Sequence, residues 1–155
     1  MYKPADAKGK AENVPVPVMP ELAKENSKEG LEAFIRYWFQ LLSYAYQTGD
    51  TTRVAGLSSP QCTLCGHLGG AVSKSYEDGS WVTGGILQTP VVDVRWDSSS
   101  NSQQAQVQLI QTEIHYFAAD GTEHRELTAA TNDAVAFFAD FRNDAWMTLD
   151  TGIIR

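Results

Sequence analysis

Cysteine, histidine and basic residues are all scarce in this chain, and each shortage removes a class of function. The two cysteines, Cys62 and Cys65, cannot build a disulfide framework or a four-cysteine zinc site. The three histidines, His67, His115 and His124, fall in separate stretches, so no metal trio is expected from their spacing. Twelve Lys and Arg stand against nineteen Asp and Glu, for a net charge of -7, and the basic residues are scattered. No nucleic-acid partner and no anionic membrane surface are expected of so acidic a chain. No apolar run approaches the ~18 residues that a membrane span needs, and no secretory leader is recognised, so the chain is expected neither to span a membrane nor to target itself. A phosphate-binding glycine loop, a G-x-S-x-G elbow and a helical H-E-x-x-H are all missing.

At 155 residues and 43% hydrophobic, the chain suits one domain with one core. Residues 1–26 are expected to form an extended, proline-containing tail or stalk, and 27–155 a single α+β domain. Pro15, Pro17 and Pro20 favour polyproline geometry, and nothing in 1–12 can bury area. From Ser27 to Gly49 the pattern is helical, with Leu31, Phe34, Ile35, Trp38, Leu42, Ala45 and Tyr46 on one stripe. Tyr37, Phe39, Leu41 and Tyr44 widen it far beyond the ~100° of a surface helix, so it is expected to be the enclosed core rod. Ser27 and Gly49 mark its ends. Asp50 caps a short second helix over 51–57, and Ser59-Pro60 opens a third that runs to about Tyr76. Its apolar face is Leu64, Cys65, Leu68, Val72 and Tyr76, and Gly66, Gly69 and Gly70 weaken it.

From Ser80 onward the period is two, which predicts antiparallel strands. Trp81–Leu87 is broken by Gly84-Gly85, and Val91–Trp96 alternates with Asp93 and Arg95 outward. In 103–117 the inward phase moves from Ala105, Val107 and Leu109 to Ile110, Ile114 and Tyr116, which predicts a β-bulge between Leu109 and Ile110. That register faces Val107, Ile114 and Tyr116 inward and Gln106, Gln111, Glu113 and His115 outward. Strands over 123–131 and 135–141, with an irregularity at Asn132-Asp133, and a last strand from Trp146 to Ile153 complete the sheet. The architecture expected is helices packed in a strongly bent mixed or antiparallel sheet.

The long aromatic helix, the Thr48-Gly49-Asp50 step, two shorter helices and the bent sheet resemble the nuclear transport factor two-like, cystatin-like cone fold. More narrowly, Ala11–Pro17, Glu29–Phe34, Tyr44-Ala45-Tyr46 and Cys62-x-x-Cys65 resemble an uncharacterised family of actinobacterial lipoproteins over most of the chain. That resemblance implies a lipid-anchored, extracytoplasmic protein whose lipid-bearing cysteine and signal peptide lie upstream. It implies no activity.

Three chemistries compete for Cys62 and Cys65. A thioredoxin-like pair needs a strand feeding the helix, and a short helix precedes it instead. Zinc needs about four ligands, and with His67 only three are local. A structural disulfide is favoured: helical neighbours three apart sit about 5 Å apart at the α-carbons, and the compartment implied by the resemblance is oxidising. Cone folds enclose a pocket between helix and sheet, and its walls are expected from Tyr37, Trp38, Tyr44, Trp81, Trp96, Tyr116, Phe137 and Trp146. His115 is expected on the solvent face, titrating near its ordinary value of about 6.5. No catalytic residue, metal or cofactor is expected. The function expected is a non-catalytic binding or scaffolding module of the cell envelope, engaging an envelope protein or an apolar small ligand. The alternative is a small-molecule pocket enzyme of the isomerase or dehydratase type, and a homodimer through the sheet is a further expectation.

Overall fold

The computed structural model describes residues 1–154. Helix α1 spans Lys28–Thr48 between the two caps read from the sequence. Ser27 Oγ accepts the Gly30 N–H at 2.9 Å, and Gly49, at φ 81°, returns its N–H to the Ala45 carbonyl at 2.8 Å. Asp50 accepts the Thr52 N–H at the start of α2, Thr52–Gly56. Helix α3 is Thr63–Ser75, later than expected. Ser58 and Ser59 are drawn into a parallel bridge beside Thr148, so Ser59 closes a turn over Gln61 and Cys62 becomes the N-cap.

Seven antiparallel strands follow: β1 Trp81–Gly84, β2 Leu87–Arg95, β3 Ser102–Gln111, β4 Ile114–Phe117, β5 Glu123–Thr128, β6 Thr131–Arg142 and β7 Ala145–Ile153. They form a three-stranded sheet in the order β1-β4-β5 and a four-stranded one in the order β2-β3-β6-β7. Three chain segments pass from one sheet to the other, breaking at Gly85-Ile86, Thr112-Glu113 and Ala129-Ala130. The shared corner is what bends the sheet into a cone. Gly84 sits there at φ 79°, where a β-carbon would stand 1.8 Å from the Glu113 carbonyl oxygen, so only glycine fits. Thr112 stitches the same corner: its N–H donates to the Ile86 carbonyl at 3.0 Å and its Oγ1 accepts the Ile86 N–H at 2.9 Å.

The bulge expected at Leu109-Ile110 is not there. β3 pairs with β6 without a register shift from Ser102 to Gln111, so the change of phase is the corner itself at Thr112-Glu113. Two residues change sides as a result: Ile110 lies on the outer face, and Gln111 points inward. The bulges lie elsewhere, at Gln88–Val91 beside Pro90 and between Phe138 and Ala139 against β7. The irregularity expected at Asn132-Asp133 falls instead at Ala129-Ala130, the third corner crossing.

α1 fills the concavity of the larger sheet. Leu31, Phe34, Ile35 and Trp38 are at most 1% exposed and meet Val107, Val135 and Phe137. Trp38 stands edge-on to Phe39 and Phe137 at 5.0 and 5.5 Å, and its Nε1 donates to Ser58 Oγ at 2.9 Å. The tail is less extended than expected. Lys3 and Glu12 exchange backbone hydrogen bonds at 2.9 Å, and the Trp81 Nε1 donates to the Asp6 carbonyl, so an indole holds the first twelve residues in a loop. Before Ser27, Ala23, in a 3₁₀ turn over Glu21–Lys24, is 1% exposed, and Trp146 Nε1 donates to the Glu25 carbonyl.

Candidate functional site: cavities beneath the third helix

Helix α3 is an incomplete cover. Of its side chains only Val72 is buried, and nothing lies within 4 Å of a β-carbon placed at Gly66, Gly69 or Gly70. Its two ends are fixed. At the start Cys62 and Cys65 form the expected disulfide, with α-carbons 5.2 Å apart. At the far end Tyr76 donates its hydroxyl to the Tyr46 carbonyl at 2.6 Å. Burial pushes the Tyr76 phenol up to about 12, so it stays protonated and keeps donating.

Four open spaces border this helix. A helix-side cleft of about 330 Å³ lies between α1, α2 and α3, walled by Trp38, Leu42, Val54 and Leu68, with the disulfide on its rim. A sheet-side cavity of about 280 Å³ lies between α1, α3 and the concave sheet. Its walls are Phe39, Leu42, Leu64, Leu68, Leu109 and Val135, and among the described residues Asp133 is its one carboxylate. An inner cavity of about 170 Å³ lies at the corner under Val72, between Tyr46, Tyr76, Val82 and Ile114. It opens toward a groove of about 470 Å³ that carries Lys74, Glu77, Asp78, His124 and Arg125. The spaces share walls: Leu42 and Leu68 border the first two, Tyr46 and Gln111 the sheet-side and inner cavities, and Tyr116 and Arg125 the inner cavity and the groove.

The aromatic residues expected to wall one pocket do not converge. Trp38 and Phe137 are core, and Trp38 also borders the helix-side cleft. Trp96 meets Trp146 edge-on at 6.2 Å at the other end of the large sheet. Trp81 stacks on Phe117 at 5.6 Å beneath the N-terminal loop. Tyr37 is buried, Tyr44 is half-buried, and neither borders these spaces. Tyr116 alone lines the inner cavity and the groove, its hydroxyl hydrogen-bonded to Thr128 Oγ1 at 2.6 Å. Asp133 and Arg125 are not among the residues expected at a site, and Gln111 was expected on the outer face. Gln111 became visible only once the change of phase moved to Thr112-Glu113, and Arg125 is the cross-strand partner of Tyr116.

His115 does lie on the outer face, but it is not an isolated imidazole. Glu113 and Glu123 flank it at 2.9 and 2.6 Å, and hydrogen bonds to Glu113 and then Glu123 raise its pKa above the ordinary value. This corrects the expectation of ordinary titration. His67 and His124 are exposed, and Asp93 and Arg95 form a loose surface pair at 3.9 Å. Among the described residues no cluster of three or more His, Cys, Asp or Glu has metal-binding geometry, and no helix is long and apolar enough to cross a membrane.

Helices cradled in two antiparallel sheets that share a corner define an α+β cone of the cystatin-like kind. The chain belongs to the family of unknown function DUF6318, which it matches over residues 1–152. None of the curated proteins matches it. Among solved structures it is similar to the intermembrane space region of the chloroplast protein ARC6, with TM-score 0.59 and 9% identity, covering 84% of this chain and 98% of that one. It is also similar to an uncharacterised protein with a cystatin-like fold from Caulobacter vibrioides, with TM-score 0.53 and 18% identity, covering 82% and 91%. A third is Aln2 from a Streptomyces species, with TM-score 0.53 and 8% identity, covering 84% and 94%. At these identities the likeness is one of fold.

Proposed function

We propose that this domain is a non-catalytic binding module of the cell envelope that takes an apolar small molecule beneath α3. The observation that carries the reading is the sheet-side cavity, about 280 Å³ with mostly aliphatic walls, under a helix fixed at its ends and fully burying only Val72 between them. An engineered apolar cavity of about 150 Å³ stays dry and accepts benzene, so this one has room for a larger guest. The disulfide supports a compartment outside the cytoplasm, and the resemblance to lipoproteins supports an upstream lipid anchor. In toluene-saturated buffer the methyl resonances of Leu64, Leu109 and Val135 should shift and saturate. Methyls that stay in place would overturn the binding reading. For the anchor, the native protein in its own cells should fractionate with membranes and incorporate a palmitate analogue, and a soluble, unlabelled protein would overturn that part.

One observation favours the enzyme reading. Asp133 is half-buried on the wall of the sheet-side cavity, the kind of carboxylate that an isomerase or dehydratase uses as base. If that reading holds, Asp133→Asn abolishes turnover and leaves toluene binding intact. For self-association, the support is that Val91, Phe138 and Met147 are exposed on the outer face of the larger sheet. A mass by light scattering that stays monomeric on concentration removes it.

A further inference from the structure

We infer that the inner cavity is a subsite for a small carboxylate with an aromatic or short apolar body, its acid group held by Arg125. This rests on the reading of α3 as cover for a ligand and names the chemistry of that ligand.

The charge distribution carries the argument. Among the described residues Arg125 is the only charged one on the wall of the inner cavity, and no acidic side chain lines it. Glu77 and Asp78 lie only on the outer groove, where Lys74 and His124 also stand. Among the described residues Arg125 has neither a carboxylate partner nor a side-chain hydrogen bond. Its guanidinium lies over the face of Tyr116, 4.0 Å from the ring centre. A guanidinium so placed is partly ordered by the ring, and its planar donor fork is left free. Carboxylate is the group that fork matches with two parallel hydrogen bonds. In a chain of net charge -7, an unpaired arginine at the throat of a cavity favours an anion there over the bulk field that repels one.

The walls behind Arg125 suit a compact apolar body. Tyr46, Tyr76, Val82 and Ile114 surround about 170 Å³, slightly more than a benzene-sized cavity. Tyrosine phenols are uncharged at neutral pH, and burial pushes those of Tyr46 and Tyr76 further up, so both walls are neutral. Beyond Tyr46 and Gln111 lies the sheet-side cavity, which gives a longer body somewhere to extend.

The test compares 3-phenylpropanoate with 3-phenyl-1-propanol, two probes of nearly equal shape that differ in the charge of the head. Both are titrated by NMR into the intact protein while the methyls of Val82 and Ile114 are followed, and the titrations are repeated with Arg125→Gln. The acid should bind at least about tenfold tighter than the alcohol, a gap that one charge-assisted pair supplies. Arg125→Gln should erase the gap by weakening the acid alone, and Arg125→Lys should restore part of it. Equal binding of acid and alcohol, or a preference that survives Arg125→Gln, would overturn the assignment and leave the toluene result standing. If neither probe moves those methyls, the subsite falls, and the toluene titration separately decides whether the apolar reading falls too. Arg125 is exposed, so the variant should fold as the parent does, and its amide spectrum checks this.

Discussion

Gly49→Ala should be among the most damaging single-methyl changes in the protein, because that glycine meets two independent demands. Its φ of 81° lies in the left-handed region, which costs a residue with a β-carbon roughly 1–2 kcal/mol. A β-carbon there would also stand 2.7 Å from Cγ of Tyr76, inside any real contact distance. The ring must move, and the hydrogen bond from Tyr76 to the Tyr46 carbonyl goes with it, a further ~0.5–1.5 kcal/mol. Together the loss is about 2–3 kcal/mol, read as a lower urea midpoint at unchanged slope. Gly49→Asn separates the two demands, since asparagine tolerates the left-handed region yet carries the same β-carbon. It should fall between parent and alanine. Gly56→Ala is the control: nothing lies within 4 Å of a β-carbon there, and the change should be neutral or slightly stabilising. If Ala and Asn at position 49 both stay within about 0.5 kcal/mol of the parent, the coupling between the end of α1 and the end of α3 does not exist.

Trp38→Ala should cost about 3–5 kcal/mol in the same assay, the range for a large aromatic lost from a close-packed core, and a loss below about 1 would mean α1 is not the core rod. The His115 imidazole should titrate above its ordinary value of about 6.5, and Glu113→Gln should bring it down. Because the folded value is the raised one, the ion pair's contribution to stability is fully present below the unfolded pKa and is lost as pH rises through the folded one. An unshifted imidazole by NMR would refute both carboxylate contacts. Thiol titration of the unfolded, unreduced protein should find no free thiol, and two free thiols would remove the Cys62–Cys65 bridge.

What the sequence made legible is whatever depends on a local period or a local cap. The 3.6-residue stripe from Leu31 to Tyr46 and the Ser27 and Gly49 signals give α1 almost to the residue, because its burial is so complete that no tertiary contact competes with the pattern. The long third strand shows the limit. Its change of phase was visible, but Leu109 and Ile110 are both apolar, so the pattern alone set the change three residues too early. The deciding facts are non-local: Gly84 packed on the Glu113 carbonyl and Thr112 bonded to Ile86. The start of α3 failed for a similar reason. Ser59-Pro60 is a sound local cap, overridden because Thr148 takes the Ser59 N–H into a bridge. The aromatic list failed differently: size and hydrophobicity identify buried rings, and rings that fill a core do not wall a cavity.

The helix-side cleft follows from what α3 withholds. A helix of thirteen residues with three glycines gives up roughly 2–3 kcal/mol of helix propensity relative to alanine, and those glycines leave open space on the side of the cleft toward α1 and α2. Alanine at Gly66, Gly69 or Gly70 would meet no neighbour within 4 Å, so close packing does not require glycine at those positions. The cost is offset by fastening rather than by packing. The disulfide spans a loop too short to constrain the unfolded chain much, so its contribution is to fix the first turn of α3, while Tyr76 fixes the end. A helix held at both ends and loosely packed between them keeps its position while the space beneath it stays open. That arrangement suits a cover for a guest better than a layer of a core, and it places Arg125 and Asp133 as the charged groups that such a guest would meet.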